Sequence, residues 1–373
     1  MQGGIRGTIA VHPVRRRLLG PGLLIVLLAA CAGPGASRAQ LPASVSVVGA
    51  DGGDRHLCVV DDEHLARCLG ANEFGQSGDG DARLDRSIAQ PVVGLTDVVE
   101  VSAGRDFSCA RTAAGQVACW GQNLIGQIGN GLRFSAQLVP SPVEGVPDAL
   151  TDITTGANHA CAGGAAGAWC WGDGRVGQLG NGDRLDRSRP SEVAGLGPVV
   201  ALAAGANHTC ALDPSGAVRC WGAGDQGQLG DGEVVDRARP VAVGGLAPAT
   251  AIAAGGETTC AIAAGGEVWC WGAGRLGQTG PGGEVVTTRP VPVPLPSPAD
   301  QVAVAEGHAC ARLEGGVVWC WGDGRLGQRG PDVDGAAPSP LPLPGGAQQV
   351  AVEVARTCAV VRGQLRCWPE RDA

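Results

Sequence analysis

The sequence predicts an all-β fold, a seven-bladed β-propeller of four-stranded blades, and three observations lead to this prediction. The 373 residues include 63 glycines and 25 prolines, a composition that favours short strands joined by tight turns over helices. Fourteen of the 15 cysteines form seven pairs that recur about every fifty residues. Each of these units contains four short apolar segments. Four strands repeated at a period of about fifty residues are typical of propeller blades.

The two cysteines of each pair lie nine or ten residues apart, which fits the two strands of one hairpin. If Cys210 faces Cys220, a three-residue loop remains, and its third residue, Gly216, suits the left-handed position of such a loop. Opposed cysteines can then form a disulfide worth roughly 2–3 kcal/mol. Zinc sites prefer cysteines two to four residues apart, so we expect disulfides. The predicted bridges are Cys58–Cys68, Cys109–Cys119, Cys161–Cys170, Cys210–Cys220, Cys260–Cys270, Cys310–Cys320 and Cys358–Cys367.

The fourth unit illustrates the strand order expected in every blade. Residues 199–204, 208–213 and 217–221 predict three inner strands, a Gly-Gln-Leu-Gly segment at 227–230 opens a long loop, and residues 239–243 predict an outer strand. The first and last units each lack one part of this pattern, so six outer strands serve seven blades. We expect the two chain ends to lie side by side, with residues 40–42 completing a blade.

Tryptophans accompany the cysteines in most units. Side chains alternate between the two faces of a strand, so a tryptophan directly after a cysteine lies on the opposite face. We expect these rings to be buried between blades, where they meet sulfur of the neighbouring blade. The tryptophans concerned are Trp120, Trp171, Trp221, Trp271 and Trp321, joined on the same face by Trp169, Trp269 and Trp319.

Residues 1–31 predict a lipoprotein-type signal peptide. Arg15-Arg16-Arg17 precedes the apolar segment 18–30, which is too short to span a bilayer. The segment ends in Leu28-Ala29-Ala30-Cys31, which resembles the bacterial lipobox, whose cysteine is acylated. The residue after it, Ala32, favours the outer membrane. We therefore expect Cys31 to carry a lipid anchor.

The remaining domain assignments follow from this signal. We expect residues 32–44 to form a flexible tether and residues 45–373 to form the propeller. The alternative to a lipoprotein is ordinary secretion, with cleavage after Ala39. Both alternatives place the chain in the bacterial envelope or outside the cell, where disulfides persist.

The charge balance argues against nucleic acid as a partner. The chain contains no lysine, and beyond Cys31 it carries 24 arginines against 36 acidic side chains, a net of −12. Phosphate binding needs a basic face, which this balance does not provide.

The units resemble a known repeat. The segments 205–212, Gly-Ala-Asn-His-Thr-Cys-Ala-Leu, and 218–230, which contains Cys-Trp-Gly and Gly-Gln-Leu-Gly, look like repeats of the regulator of chromosome condensation (RCC1) family. The resemblance covers roughly residues 45–373 and implies a seven-bladed propeller in a secreted or lipoprotein bacterial member. The family's eukaryotic members act as nucleotide exchange factors, and a similar secreted bacterial protein inhibits β-lactamase by binding it.

No catalytic arrangement, cofactor motif or metal-binding motif is found, so we expect a non-enzymatic protein without a cofactor. His56, His159, His208 and His308 share one strand position and are spread around the ring, which predicts structural hydrogen bonds. Acidic turns after the Gly-Gln-Leu-Gly segment could hold calcium, but no complete calcium loop is present. We interpret these as solvated turns: Asp79-Gly80-Asp81, Asn181-Gly182-Asp183 and Asp231-Gly232.

The long loops between strands are the predicted binding surface, because loops on a rigid scaffold concentrate binding residues and arginines grip carboxylates bidentately. We expect a monomeric scaffold that binds a protein or an envelope polymer. A carbohydrate-binding or sugar-active propeller is the alternative, and nucleotide exchange activity is a third, weaker hypothesis. The candidate binding residues are Arg86, Arg133, Arg187, Arg189, Arg237, Arg239 and Arg289.

Overall fold

The computed structural model describes residues 45–281, 285–331 and 335–369, and it shows a ring of seven antiparallel β-sheets. Six sheets have four strands, and the seventh has three within the described residues. The first strands of successive blades contact one another and line the centre of the ring. Among the residues placed in the structure, no helix has the length and apolar character needed to cross a membrane.

The first four blades each contain four strands in chain order. Blade 1 is β1 (Val47–Gly52), β2 (His56–Asp61), β3 (Ala66–Gly70) and β4 (Arg86–Pro91); blade 2 is β5 (Val98–Ala103), β6 (Phe107–Thr112), β7 (Val117–Gly121) and β8 (Gln137–Pro142); blade 3 is β9 (Asp152–Thr155), β10 (His159–Gly164), β11 (Gly167–Gly172) and β12 (Arg187–Glu192); blade 4 is β13 (Ala201–Ala204), β14 (His208–Leu212), β15 (Val218–Gly222) and β16 (Arg237–Ala242).

The last three blades complete the ring. Blade 5 is β17 (Ala249–Gly255), β18 (Thr258–Ala263), β19 (Val268–Ala273) and β20 (Val286–Val293); blade 6 is β21 (Ala299–Val304), β22 (His308–Leu313), a short 3-10 turn (Glu314–Gly316), β23 (Val318–Gly322) and β24 (Ser339–Pro340); blade 7 is β25 (Gln349–Glu353), β26 (Arg356–Val361) and β27 (Gln364–Trp368). The outer strand predicted at 239–243 begins two residues earlier, because Arg237 already pairs with Gly222 across a bulge.

The hairpin geometry inferred from the cysteine spacing is confirmed. Cys210 faces Cys220 in register at a Cα–Cα distance of 4.0 Å, and Gly216 has φ +85°. In blade 1 the corresponding residue is His64, at φ +61°, and the Asp61 carboxylate steadies this loop by accepting two backbone N–H bonds. All seven predicted disulfides are formed: Cys58–Cys68, Cys109–Cys119, Cys161–Cys170, Cys210–Cys220, Cys260–Cys270, Cys310–Cys320 and Cys358–Cys367.

Each tryptophan that follows a cysteine packs on the preceding blade. Trp221 is fully buried in one apolar cluster with Cys161 and Cys170, and its indole N–H donates to the Gln178 carbonyl at 2.9 Å. This confirms the predicted contact between sulfur and ring. The same bond recurs at 2.9 Å for Trp120 with Gln76, Trp171 with Gln127, Trp271 with Gln228 and Trp321 with Gln278.

The second group of tryptophans differs from the prediction. Trp169, Trp269 and Trp319 are only partly buried. They lie two residue pairs closer to the hairpin loop than the first group, and the neighbouring blade covers only part of each ring. The prediction of a core position was therefore wrong for these three side chains.

The histidines join neighbouring blades. His208 Nε2 lies 2.7 Å from the Thr259 hydroxyl oxygen of the next blade. Burial lowers the pKa of His208 to about 3, so the ring is neutral at pH 7. The structural interpretation is supported by the equivalent contacts of His56 with Ser108, His159 with Thr209 and His308 with Thr357, at 2.7–2.9 Å.

The ring closes where blade 7 meets blade 1. The backbone N–H of Val47 donates to the Gly363 carbonyl at 2.8 Å, and Leu69 of β3 packs in one cluster with Cys358. The two ends of the propeller therefore lie side by side, as predicted. Residues 40–42, which were expected to complete a blade, lie outside the described residues.

Candidate functional site

Three of the predicted binding arginines are held by aspartates of their own blade. Each begins the outer strand, and the aspartate belongs to the turn that precedes it. The Arg86 Nε lies 2.5 Å from Asp79 Oδ2. Arg187 pairs with Asp183 in the same way, and Arg237 with Asp231 at 3.0 Å. These side chains support the long loops.

The ion pairs also explain the acidic turns. Their carboxylates accept backbone N–H bonds within the turn, as Asp231 does from Glu233 at 3.0 Å. The remaining carboxylate oxygens face the arginines. In the described ranges no group of three or more histidine, cysteine or acidic residues is arranged to hold a metal ion.

A second set of arginines lies two residues further along the outer strands and is exposed. Arg239 extends across Gly182 of the preceding blade, so closely that a Cβ on this glycine would lie 2.7 Å from Nη2. Arg289 lies across Gly232 in the same manner, with 2.6 Å for the corresponding distance. Arg189 repeats the arrangement over Gly131. We call Arg189, Arg239 and Arg289 the arginine row.

The three arginines of the row differ in whether an acidic side chain pairs with them. Arg189 forms an ion pair with Glu144 of blade 2. Arg239 and Arg289 form no ion pair with any described residue. The reason is local, because the residue equivalent to Glu144 is Ala194 beside Arg239 and Gly244 beside Arg289. Two guanidinium groups on adjacent blades are therefore exposed without an acidic partner in the described part of the chain.

Arg133 links two long loops instead of joining the row. Its Nη2 donates to the Asp186 carbonyl of blade 3 at 2.8 Å. Arg184 makes the equivalent contact to blade 4, where its Nη2 donates to the Asp236 carbonyl at 3.4 Å. The structure thus distributes the seven predicted arginines among loop support, loop linkage and the exposed row.

Exposed apolar side chains occupy the same loops, and the sequence reasoning did not identify them. Phe134 is 80% exposed at φ +59°, a conformation that bulky side chains rarely adopt. Leu132 beside it and Leu185 of blade 3 are also exposed. A signal was present, since the chain has only three phenylalanines and Phe134 lies outside every predicted strand.

A cavity of about 630 Å³ occupies the centre of one face of the ring. The ends of the innermost strands of all seven blades line it, and most of these residues are glycine or alanine. Two buried carboxyl groups, Asp51 and Glu353, contribute to its wall. Desolvation raises the pKa of each to about 7. Neither residue was a candidate from the sequence.

A second buried acidic group lies between blades 2, 3 and 4. Glu100 Oε2 accepts from Arg111 Nε at 2.8 Å, and Asp152 Oδ2 accepts from the Leu202 backbone N–H at 2.5 Å. Burial and the neighbouring Glu100 carboxylate raise the pKa of Asp152 well above its usual value. This group joins blades and does not line the cavity.

Comparison with protein-family models identifies the repeat. The model described as the RCC1-like domain matches residues 33–306, which is most of the chain. The chain belongs to the RCC1-like domain family. A model of the regulator of chromosome condensation (RCC1) repeat also matches residues 300–328 of this RCC1-like chain. The resemblance stated from the sequence is confirmed.

Curated relatives share only part of their length with this RCC1-like propeller. The human probable E3 ubiquitin-protein ligase HERC3 is 38% identical over 127 residues, which are 32% of this chain and 12% of HERC3. The human E3 ubiquitin-protein ligase HERC2 is 32% identical over 183 residues, which are 47% of this chain and 4% of HERC2. The chain therefore spans a small fraction of these relatives.

Solved structures share the fold. Human WBSCR16 superposes with a TM-score of 0.74 at 21% identity, covering 85% of this chain and 86% of WBSCR16. Yeast RCC1 (Prp20), solved bound to Kap60, gives a TM-score of 0.71 at 20% identity, covering 83% and 79%. At this identity the likeness concerns architecture alone, an RCC1-like propeller compatible with a scaffold for protein interactions.

Proposed function

We propose that this RCC1-like propeller is a non-enzymatic scaffold, anchored in the bacterial envelope, that binds an acidic surface of another protein. The observation that carries the proposal is the arginine row, in which Arg239 and Arg289 are exposed on adjacent blades without an acidic partner among the described residues. Arg189 supplies an internal comparison, because its charge is already balanced by Glu144.

The geometry of the row favours recognition of carboxylates. Each guanidinium is held across a glycine of the preceding blade, so less side-chain freedom is lost when a partner binds. Arginine forms two parallel hydrogen bonds with a carboxylate. Leu185 and Val234 are exposed in the loops that follow the glycines under Arg239 and Arg289, and they can provide the apolar contact that interface centres require.

Protein binding is also known for proteins of this architecture. Kap60 is bound to yeast Prp20 in one structure, and a second structure of Prp20p was described together with its binding to Gsp1p and histones. Those partners belong to Prp20. For this chain they support a protein partner in general.

The anchor proposal comes from the sequence of the N-terminal segment. Leu28-Ala29-Ala30-Cys31 would place a lipid on Cys31, and seven disulfides fit an oxidising compartment. Intact-mass analysis of the protein purified from its source tests this proposal. An acylated Cys31 at the mature N-terminus is expected, and an unmodified N-terminus at Gln40 would contradict it.

The scaffold proposal is tested by comparing two double variants in capture from envelope extract. We expect Arg239→Gln/Arg289→Gln to lower the affinity for the captured protein by about tenfold or more, because two charge-assisted contacts are removed. Arg219→Gln/Arg366→Gln is the matched control, since it removes the same charge from exposed arginines outside the row. Equal binding by both double variants, or recovery of glycan alone, would contradict the proposal.

A further inference from the structure

The cavity contains a carboxylate at a position that the other blades keep small. The Gly-x-x-His segment places a glycine after the innermost strand or at its end, and side chains there would enter the centre of the ring. Blade 7 has Glu353 at this position, three residues before Arg356, the counterpart of the histidines. The other blades have Gly53, Gly104, Gly156, Gly205, Gly255 and Ala305.

The Glu353 side chain is buried without a hydrogen-bonding partner. The residue is only 7% exposed and lines the cavity, and its side chain makes no hydrogen bond or ion pair with any residue that the structure describes. It passes over Gly52 of blade 1, where a Cβ would lie 2.7 Å from Glu353 Cγ. A buried carboxylate without a partner costs several kcal/mol unless a proton or a ligand compensates it.

A second carboxylate lines the cavity from the other side of β1. Asp51 directly precedes Gly52, is also 7% exposed, and faces blade 2. Its Oδ2 accepts from the Ala103 backbone N–H at 2.9 Å, and Ser102 and the Gly52 backbone also hydrogen-bond to this carboxyl group. Glu353 therefore presents an unpaired carboxylate to the cavity, and Asp51 contributes a second acid that is already hydrogen-bonded.

We propose that the central cavity binds an organic cation, a primary ammonium or a guanidinium group, with Glu353 as its carboxylate partner and Asp51 adding negative charge to the cavity wall. Such a group offers several N–H donors and one positive charge, which match the unpaired carboxylate oxygens. A metal ion fits less well, because the described residues provide no cluster of three or more side-chain ligands.

The mouth of the cavity supports entry of a cation. Its exposed charges are three acids and two arginines, and one of each is mutually neutralised, since Arg105 Nε lies 3.0 Å from Asp54 Oδ2. The remaining exposed charges at the mouth are two acids, Glu257 and Glu306, and one arginine, Arg275. With the two buried carboxylates the local charge is negative.

The cavity volume is compatible with two kinds of ligand that carry the same cationic group. About 630 Å³ holds a small free amine, and it also holds a lysine or arginine side chain projecting from a bound protein. Calorimetry on the full-length chain in detergent distinguishes them. The probes are n-butylamine, a blocked Gly-Lys-Gly peptide and, as a neutral control, n-butanol.

We expect binding of at least one charged probe and no binding of n-butanol. Binding of butylamine alone identifies a free amine as the ligand class, and binding of the peptide alone identifies a side chain of a partner. Glu353→Gln should weaken the charged probe about tenfold or more. Asp51→Asn should weaken it in the same direction, and Glu306→Gln is the matched rim control.

The proposal is overturned if no charged probe binds at millimolar concentration, if n-butanol binds equally well, or if both Glu353→Gln and Asp51→Asn bind like the wild type. Glu353→Ala serves as a second variant, because blade 6 already carries Ala305 at this position. Arg239→Gln/Arg289→Gln should bind the probes unchanged. Failure of the cation site and failure of the arginine row are therefore separate results.

Discussion

The interface between blades 3 and 4 and the closing interface between blades 7 and 1 solve the same packing problem with different chemistry. Between blades 3 and 4, His159 meets the Thr209 hydroxyl at 2.9 Å, and Trp221 packs with the disulfide of blade 3. Thr209 and Trp221 both donate to the Gln178 carbonyl. The interface between blades 3 and 4 therefore combines aromatic packing with linked hydrogen bonds.

The closing interface replaces each of these groups. Leu57 stands at the position of the threonine, Leu69 at that of the tryptophan, and Arg356 at that of the histidine. Both leucines are buried in the cluster that includes Cys358. Here the contact is aliphatic, and the backbone bond from Val47 to Gly363 adds to it.

The comparison shows where the repeat tolerates change. Blades with the histidine keep this position small, because a Cβ at Gly205 would lie 2.2 Å from the His208 ring, and the largest side chain there is the methyl group of Ala305 in blade 6. Blade 7 has Arg356 in place of that histidine, so a side chain can occupy the position and Glu353 does. The irregular interface is therefore also the one that brings charge into the cavity.

Substitution of the large side chains at the two interfaces should change the free energy of unfolding most. Trp221→Ala leaves a cavity and removes an N–H bond, and we expect the free energy of unfolding to fall by roughly 3–5 kcal/mol. Leu69→Trp should also destabilise the protein, by roughly 1–3 kcal/mol, because the ring is too large and no Gln carbonyl equivalent to Gln178 is described in blade 7.

Guanidinium unfolding followed by fluorescence measures both changes. Trp221→Phe is the intermediate variant, since it keeps one aromatic ring but loses the N–H donor and part of the buried volume, and we expect a smaller loss than for Trp221→Ala. A Leu69→Trp variant as stable as the wild type would show that the two interfaces are interchangeable.

Glu353→Gln should stabilise the protein at high pH. Burial raises the pKa of Glu353 from 4.5 to about 7, despite the opposing charge of Arg356. As pH rises through this window the unfolded chain loses its proton first, so stability falls. We expect the glutamine substitution to remove a loss of about 3 kcal/mol at pH 8.

The gain from this substitution should shrink as pH falls and vanish below the unfolded pKa of 4.5, where the folded and the unfolded state are both protonated. Unfolding curves at pH 5 and pH 8 measure the difference. Glu306→Gln, an exposed neighbour at the mouth, is the control. A gain of equal size at both pH values would mean that the new amide acts by packing and not by removing a buried charge.

Much of the fold could be predicted from the sequence, because the repeated positions are local. Cysteine spacing fixes the hairpin register, and a glycine at a left-handed position such as Gly216 marks the loop. The ion pairing of the arginines could not be predicted in this way. Whether Arg189 or Arg239 is neutralised depends on Glu144 or Ala194, residues of the preceding blade some 45 positions earlier.

The cavity acids were missed for a related reason. Glu353 follows Val-Ala-Val and reads as an ordinary polar residue at the end of a strand. Only ring closure places it over Gly52, about 300 residues earlier in the chain. Similarly, Arg329 occupies a position where blades 3 and 4 have leucine, and its burial among backbone carbonyls depends on the loop that wraps it.

His208→Gln should make the regular interface less sensitive to acid. Burial, with a smaller contribution from His159, lowers the pKa of His208 to about 3, against 6.5 in the unfolded chain. As pH falls below 6.5 the unfolded state binds a proton that the folded state does not, so stability is lost. At pH 5 this amounts to about 2 kcal/mol for one histidine.

Glutamine can still donate to Thr259, so the variant should lose about 2 kcal/mol less than the wild type between pH 7.5 and pH 5. His159→Gln, at the preceding interface, should give a similar change because the pKa of His159 is lowered to about 4. The closing interface has Arg356 at this position and provides no such group. An unchanged pH dependence in both variants would mean that these histidines have the same pKa in the folded and the unfolded state. The acid sensitivity would then originate at carboxylates whose pKa is lowered, such as Asp323 beside Arg325.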